Sequence, residues 1–331
     1  MNKHNGFTLV EMMVALFIGG LVLGGVMFTY ISMKVTTKDT MAIGELQETG
    51  RLALNIMQRD IEQIGFWGTF YEDSFSSDNT NRTLVSNPGN DCSAGLNNAS
   101  FPDANANTNF RSVYAIEASS ANALGCINDA ETNSDILQVK FLEGLQIQPN
   151  RTNNGSFYFV AEQEFGLFSL GPIAAGSING NATIWRYRHH VYYITEETFT
   201  FNKKRVKVPT LKRMRLTVND GMKKEPIMEG VENLHFVFGL DTTNNSRVDT
   251  YKSIADMTET DWENRRGILT VQVFLLARTL MPDANLQVTN QKYTLGEGAS
   301  SRVLTFNDNY RRALFTTTIR LNNVGANLWR M

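Results

Sequence analysis

The sequence lacks the motifs by which most enzyme classes are recognised. It contains no G-x-S-x-G elbow, no phosphate-binding P-loop, no G-x-G-x-x-G after a strand and no H-E-x-x-H zinc motif. The adjacent carboxylates Glu196 and Glu197 lie on a predicted strand, where neighbouring side chains face apart and cannot act together as general acid and base. We therefore predict that the protein is not an enzyme and uses no cofactor.

Cysteine and histidine are scarce as well. The 331 residues include two cysteines and four histidines, and the absence of a C-x-x-C pair removes the usual zinc pattern. His189 and His190 are adjacent on a predicted strand, so they point to opposite faces and cannot share a metal. His235 is remote from both, and no metal site is predicted.

Neither sign of charge is in marked excess. The net charge of −2 gives no reason to expect a nucleic-acid partner for the whole chain. Seven Lys or Arg fall between Lys203 and Arg215, which leaves a patch for nucleic acid or acidic lipid as one interpretation. We favour the solvated face of a hairpin, because the charges alternate with apolar residues and no aromatic platform is interleaved.

Charge is absent altogether from one long segment near the N-terminus. The 22 residues from Met12 to Met33 carry no formal charge, and as a helix they would be roughly 33 Å long, enough to span a bilayer core. A secretory signal peptide is cut after its apolar run. Here the best small-residue site, Gly6, precedes the run, so processing would leave the apolar helix on the mature chain.

Glu11 is the only charged residue between this site and Lys34. A carboxylate near the membrane end of an apolar helix costs on the order of 2–3 kcal/mol and usually has a partner or a function. Cutting after Gly6 would create a positively charged amine on Phe7, four residues from Glu11 and equally available to a neighbouring chain. The sequence therefore predicts a pairing of this amine with Glu11.

Residues 6–11, GFTLVE, match the GFTLxE processing motif and so resemble type IV prepilins and the pseudopilins of type II secretion. The resemblance implies that a prepilin peptidase cuts between Gly6 and Phe7 and methylates the new N-terminal Phe7. It also implies that the helix packs in a filament core, with Glu11 paired to the N-terminus of an adjacent subunit. A plain membrane anchor, with Glu11 at the headgroups, is the alternative.

Three later stretches resemble the PilW-type minor pilins in particular: residues 50–68, 230–279 and 310–321. The first, GRLALNIMQRDIEQIGFWG, is shared with J-type pseudopilins. It contains Arg59 and Asp60, which are candidates for interface pairing as well as for ordinary solvated charges. The middle third of the chain is not covered by the resemblance.

The segment from residue 34 to 64 predicts an amphipathic continuation of the N-terminal helix. Apolar residues recur there at spacings of three, four and seven, which forms one stripe that would dock on the protein's own domain. The stripe consists of Leu46, Ala53, Met57, Ile61 and Ile64. Gly65 is the expected stop.

Residues 72–182 are polar and rich in Asn, Ser and Gly, so we predict a loop-rich insertion with short strands at 113–118, 136–142 and 156–160. The region contains both cysteines, Cys92 and Cys126. Export would place them in an oxidising compartment, where a disulfide and two free thiols are both open interpretations.

Stronger strands are predicted after this region, at 183–194, 205–218, 234–239 and 268–277.

The turn from Asp241 to Asp249 gathers oxygen ligands and invites a calcium interpretation. It lacks the D-x-[DN]-x-[DN]-G spacing and the final Glu of an EF-hand loop. Capping of backbone N–H groups by the aspartates is the favoured interpretation.

The fold that we expect is α+β and pilin-like. It comprises a leader (1–6), a transmembrane helix (7–33), its amphipathic continuation (34–64), and a periplasmic β-rich head (65–331) that includes the insertion. The resemblance implies a minor pilin that lies in the inner membrane before assembly and on the pilus surface afterwards. Its role would be in pilus initiation or at the pilus tip, in support of twitching motility, adhesion or DNA uptake. Its partners would be prepilin peptidase, the major pilin, other minor pilins and the inner-membrane assembly platform. A J-type pseudopilin and a membrane-anchored adhesin that never polymerises are the alternatives.

Overall fold

A computed structural model describes most of the chain, namely residues 6, 8–103, 105–201, 203–264, 267–283 and 286–324. It divides into two compact units, Met1–Glu45 and Leu46–Met331. Helix α1, Leu9–Ile61, contributes to both. The expected α+β class is confirmed, because the remaining regular structure is almost entirely β.

The first part of α1 exposes large apolar side chains along its whole length. Leu16, Leu23 and Phe28 are 73 %, 71 % and 74 % exposed. A contiguous apolar surface of this extent is not stable in water and needs lipid or protein cover. By length and composition α1 is able to cross a membrane.

The last part of α1 buries the stripe that the sequence predicted. Leu46, Ala53, Met57 and Ile61 are each at most 4 % exposed, as is Ile64 just beyond the helix. Their spacing keeps them on one face of the helix, so this prediction is confirmed. The helix ends at Ile61, four residues before Gly65, whose φ of +82° lies in the left-handed region that favours glycine.

Eight strands form the larger sheet. They are β1 (Thr80–Asn81), β2 (Val113–Glu117), β3 (Asp135–Ile147), β4 (Phe157–Ala161), β5 (Gly166–Leu170), β6 (Thr183–Phe201), β7 (Lys204–Thr217) and β8 (Gly221–Glu229). The main order is β1-β5-β4-β6-β3-β2, and β7 joins β6 and β8. Five of these strands come from residues 72–182, and β2, β3 and β4 confirm the short strands predicted there.

Strand β6 organises this sheet because its 19 residues have neighbours on both edges. Strand β3 pairs along one edge, whereas β4 and then β7 share the other. The register sets His190 opposite Arg215 on β7 and opposite Val139 on β3. Side chains from β3, β6 and β7 are thereby brought beside the end of α1.

A second, four-stranded sheet has the order β10-β9-β11-β14. Its strands are β9 (Val231–Leu240), β10 (Thr250–Ser253), β11 (Ile268–Arg278) and β14 (Arg312–Arg320), and β12 (Gln291–Leu295) pairs with β13 (Arg302–Phe306) as a separate hairpin. The short helix α2 (Glu259–Glu263) begins with a capping box at Thr258. Phe315 of β14 lies directly against Gly50 of α1, where a Cβ atom would stand 2.2 Å from the ring.

Candidate functional site

The N-terminal site is built on the first turn of α1. Thr8 precedes the helix, and its backbone N–H and side-chain hydroxyl each donate to the Glu11 carboxylate at 2.9 Å. The Glu11 N–H donates in return to the Thr8 hydroxyl at 3.3 Å. This reciprocal pattern is a capping box, and the spacing T-x-x-E would have indicated it from sequence alone.

The capping box gives Glu11 a partner inside its own chain. The carboxylate therefore has hydrogen-bond donors before any second subunit approaches, which offsets part of the cost of an acid in an apolar helix. Gly6 is exposed, whereas Phe7 and the leader before Gly6 lie outside the described residues. The structure thus describes the acid of the predicted site and not the amine.

Asp60 and Arg59, which the sequence marked as candidates for pairing, differ in their surroundings. Asp60 accepts hydrogen bonds from His190 Nδ1 and from the Tyr192 hydroxyl. Burial alone raises the pKa of Asp60, but these hydrogen bonds and the charge of Arg213 outweigh it, so the pKa is lowered and Asp60 is ionised. Arg59 is exposed and forms no ion pair with the described part of the chain.

His189 lies on the other face of β6 from His190, as their adjacent positions predict. Its Nδ1 is 2.9 Å from the Ser100 hydroxyl, which donates to Asp91 at 2.6 Å. The residue types are those of a hydrolase, but Ser100 and His189 are both fully buried, so no substrate can reach them. Burial holds the pKa of His189 well below its usual value, so the ring is neutral and its hydrogen bonds stabilise the core.

Among the described residues, no group of three His, Cys, Asp or Glu side chains could hold a metal ion. In the turn that invited a calcium interpretation, Asp241 accepts from the N–H groups of Thr243, Asn245 and Ser246. Asp249 accepts in the same way from Thr242 and Thr243. Backbone capping, the favoured interpretation, is therefore confirmed.

The basic run on β7 is less solvated than the sequence predicted. Lys207 is exposed and pairs with Glu196 at 2.6 Å, as a solvated hairpin face would. Lys212, however, is 7 % exposed and pairs with Glu197 and with Asp129. The predicted hairpin is present, but part of its charge is buried in ion pairs.

Cys92 and Cys126 are joined by a disulfide, with their Cα atoms 4.9 Å apart. The bond connects two long segments without regular structure on either side of β2. Gln138 of β3 donates to the backbone carbonyl of Cys92 at 2.8 Å. The bridge is thus attached to the main sheet.

Comparison with known families gives two matches. Residues 191–323 match the family described as "Type IV Pilus-assembly protein W", and residues 1–27 match the "Prokaryotic N-terminal methylation motif". No curated protein and no solved structure matched the chain. The family consists of pilin-type structural proteins and is not a known enzyme family. Both matches are those of a PilW-family type IV minor pilin, the family that the sequence resemblance implied.

Proposed function

We propose that prepilin peptidase cuts this minor pilin between Gly6 and Phe7, that Phe7 is methylated, and that the mature chain enters a type IV pilus. The observation that carries the proposal is the apolar first part of α1, which is exposed from Leu9 onwards. Only lipid or other subunits could cover such a surface. Glu11 is the one acid of that surface before Asp39.

Glu11 would then have two successive partners. In the free chain it is held by Thr8. After the cut, the amine of Phe7 on an adjacent subunit offers a full positive charge, which is a stronger partner than a neutral hydroxyl in a medium of low dielectric constant. Assembly would exchange the capping box for this ion pair as helices leave lipid.

The test replaces Glu11 with Gln and compares it with Glu45→Gln, an exposed acid on the same helix. Both variants should be cut, so mass spectrometry should find Phe7 as the first residue of each. We expect Glu11→Gln to be lost from purified pili and Glu45→Gln to be incorporated as the wild type is. Equal incorporation of both, or an intact Met1 in the wild type, would refute the proposal.

We further propose that the head stands in the periplasm before assembly and at the pilus tip afterwards. The disulfide suits an oxidising compartment. The head of about 267 residues (331 − 64) is bulky to repeat along a thin fibre. Its neighbours would be the major pilin, other minor pilins and the inner-membrane assembly platform, in the service of twitching, adhesion or DNA uptake.

Gold labelling of an epitope on the head should mark pilus ends only, and label spaced along the shaft would contradict the tip position. A deletion strain should lose surface pili and keep its secreted enzymes. Loss of secretion with pili intact would favour the J-type pseudopilin instead. The match to the pilus-assembly family supports the first outcome.

A further inference from the structure

A polar cleft of about 870 Å³ lies in the head beside the end of α1. We call it the α1 cleft. Its wall combines α1 and the residues that follow it with strands β3, β6, β7 and β8. Its charged and titratable lining residues are Arg59, Asp60, Glu62, Glu143, Arg188, His190, Arg213, Arg215 and Glu225. The volume lies within the range of small-molecule sites, about 300–1,000 Å³.

The carboxylates of the α1 cleft are already engaged. Four carboxylates line the wall. Three of them bond to a basic side chain of the same wall, and the fourth, Glu62, accepts from the side-chain amide of Gln58 at 2.6 Å. The pairs are Asp60–His190, Glu143–Arg188, Glu225–Arg213 and Glu225–Arg215. Three of the four negative charges are thereby neutralised within the wall, so these three present no strong site for a cation.

Three basic residues of the same wall keep a nitrogen atom or a charge that has no partner among the described residues. His190 Nε2 and Arg213 Nε are buried and have no hydrogen-bond partner. Buried polar atoms are almost always paired, so two such atoms in one cleft wall require an explanation. Arg59, which is exposed, forms no ion pair with the part of the chain that the structure describes.

A ligand for these residues needs both a hydrogen-bond donor and a hydrogen-bond acceptor. Asp60 is ionised and takes the Nδ1 proton of His190, whose own pKa is lowered by burial although Asp60 opposes the effect. Neutral His190 therefore presents a lone pair at Nε2, which accepts from a hydroxyl. The Arg59 guanidinium donates, and its planar fork matches the geometry of a carboxylate or a phosphate.

The aromatic content of the wall limits the class of ligand further. Apart from His190, its one aromatic ring is Phe141, which is 4 % exposed and offers no face for stacking. A nucleotide base would lack the aromatic platform on which such ligands usually rest. We therefore expect a ligand that fills this charged cleft to carry polar groups over its whole length.

We propose that the α1 cleft binds an acidic saccharide, with a sugar hydroxyl donating to His190 Nε2 and a sugar carboxylate accepting from Arg59. His190 sits at the buried end, since its side chain is 7 % exposed, and Arg59 sits at the rim. The proposal does not depend on the assembly role, because none of these residues belongs to the apolar part of α1.

The test is calorimetry on the full chain in a detergent without a sugar headgroup. The probes are trigalacturonic acid, its neutral methyl ester and inorganic phosphate. We expect the acid to bind at least tenfold more tightly than the ester, and phosphate to compete only weakly. No binding of the acid, or equal binding of acid and ester, would overturn the proposal. Phosphate that competes as well as the acid would show an adventitious ion only.

Two variants locate the site. Arg59→Gln should weaken the acid about tenfold and leave the ester unchanged, whereas Arg51→Gln, an exposed arginine of the same helix outside the cleft, should change neither. His190→Asn keeps a donor for Asp60 but removes the Nε2 acceptor, so it should weaken acid and ester alike. An equal loss from Arg51→Gln and Arg59→Gln would refute the assignment to the cleft. Pilus incorporation of Arg59→Gln should be normal, which separates this test from that of Glu11.

Discussion

The two units of the chain use apolar residues in opposite ways. In Met1–Glu45 they lie on the outside of a single helix, as Leu23 does at 71 % exposure. In Leu46–Met331 they fill a core, where Met57 is fully buried. The same helix continues through both, so helix propensity is not what differs. The head supplies its own packing partners, whereas the first unit requires partners from outside the chain.

The largest expected effect comes from removing the disulfide of the head. Replacing Cys92 and Cys126 together by Ala should lower the free energy of unfolding of the head by roughly 3–4 kcal/mol, because the bond closes a loop between residues 34 positions apart. Urea unfolding of the full chain, followed by tryptophan fluorescence, would measure it. The apolar part of α1 should keep its helicity in the variant. A loss below about 1 kcal/mol would show that the sheet alone holds these segments.

The second prediction compares two apolar side chains of α1. Met57→Ala opens a cavity in the core and should cost the head about 2–4 kcal/mol. Leu23→Ala should leave urea unfolding of the head within about 0.5 kcal/mol, since an exposed side chain has no core contacts to lose. It should instead weaken retention of the chain in membranes. Equal destabilisation by both changes would contradict the contrast between the units.

The sequence predicts what depends on local pattern. The buried stripe of α1 followed from residue spacing, and the alternation in 183–194 located β6, which extends further, to Phe201. The Glu11–Thr8 pair could be predicted from the sequence because its members are three residues apart. Local patterns of this kind carry their own physical cause.

The α1 cleft could not be predicted in this way. Its central pair, Asp60 and His190, is separated by 130 residues, and His190 meets Arg215 only through the register of β6 and β7. A shift of one residue in that register would turn the side chains to the other face. The burial of Lys212 escaped prediction for the same reason, since its partners Glu197 and Asp129 lie on other segments of the chain.

The third prediction concerns two glycines of α1. At Gly50 a Cβ atom would stand 2.2 Å from the ring of Phe315, whereas at Gly44 nothing lies within 4 Å. Gly50→Ala should therefore destabilise the head by about 1–3 kcal/mol through overpacking. Gly44→Ala should raise helix stability by about 0.5–1 kcal/mol, because alanine favours a helix.

Urea unfolding would measure the first variant and circular dichroism the second. Adding Phe315→Leu to Gly50→Ala should recover part of the loss by making room for the methyl group. A Gly50→Ala chain as stable as the wild type would mean that β14 does not pack closely on the helix.

The fourth prediction concerns a buried charge of the head, the opposite of the uncharged segment in the first unit. Lys140 is fully buried and donates to the carbonyl of Arg111 at 2.8 Å. Burial lowers its pKa to about 7 from an ordinary 10.5. Above pH 7 the folded chain holds Lys140 neutral, while the unfolded chain keeps the proton. The unfolded state then binds more protons, so the free energy of unfolding should rise with pH, by at most about 1.4 kcal/mol per unit up to pH 10.5.

Lys140→Met isolates this contribution, because methionine fills similar space without a proton to lose. Urea unfolding of both chains at several pH values between 7 and 10 should show a shallower rise for the variant. The difference between the two curves removes the titration of every other group that the chains share. Parallel curves would mean that Lys140 stays charged in the folded head and that its surroundings are more polar than its burial indicates.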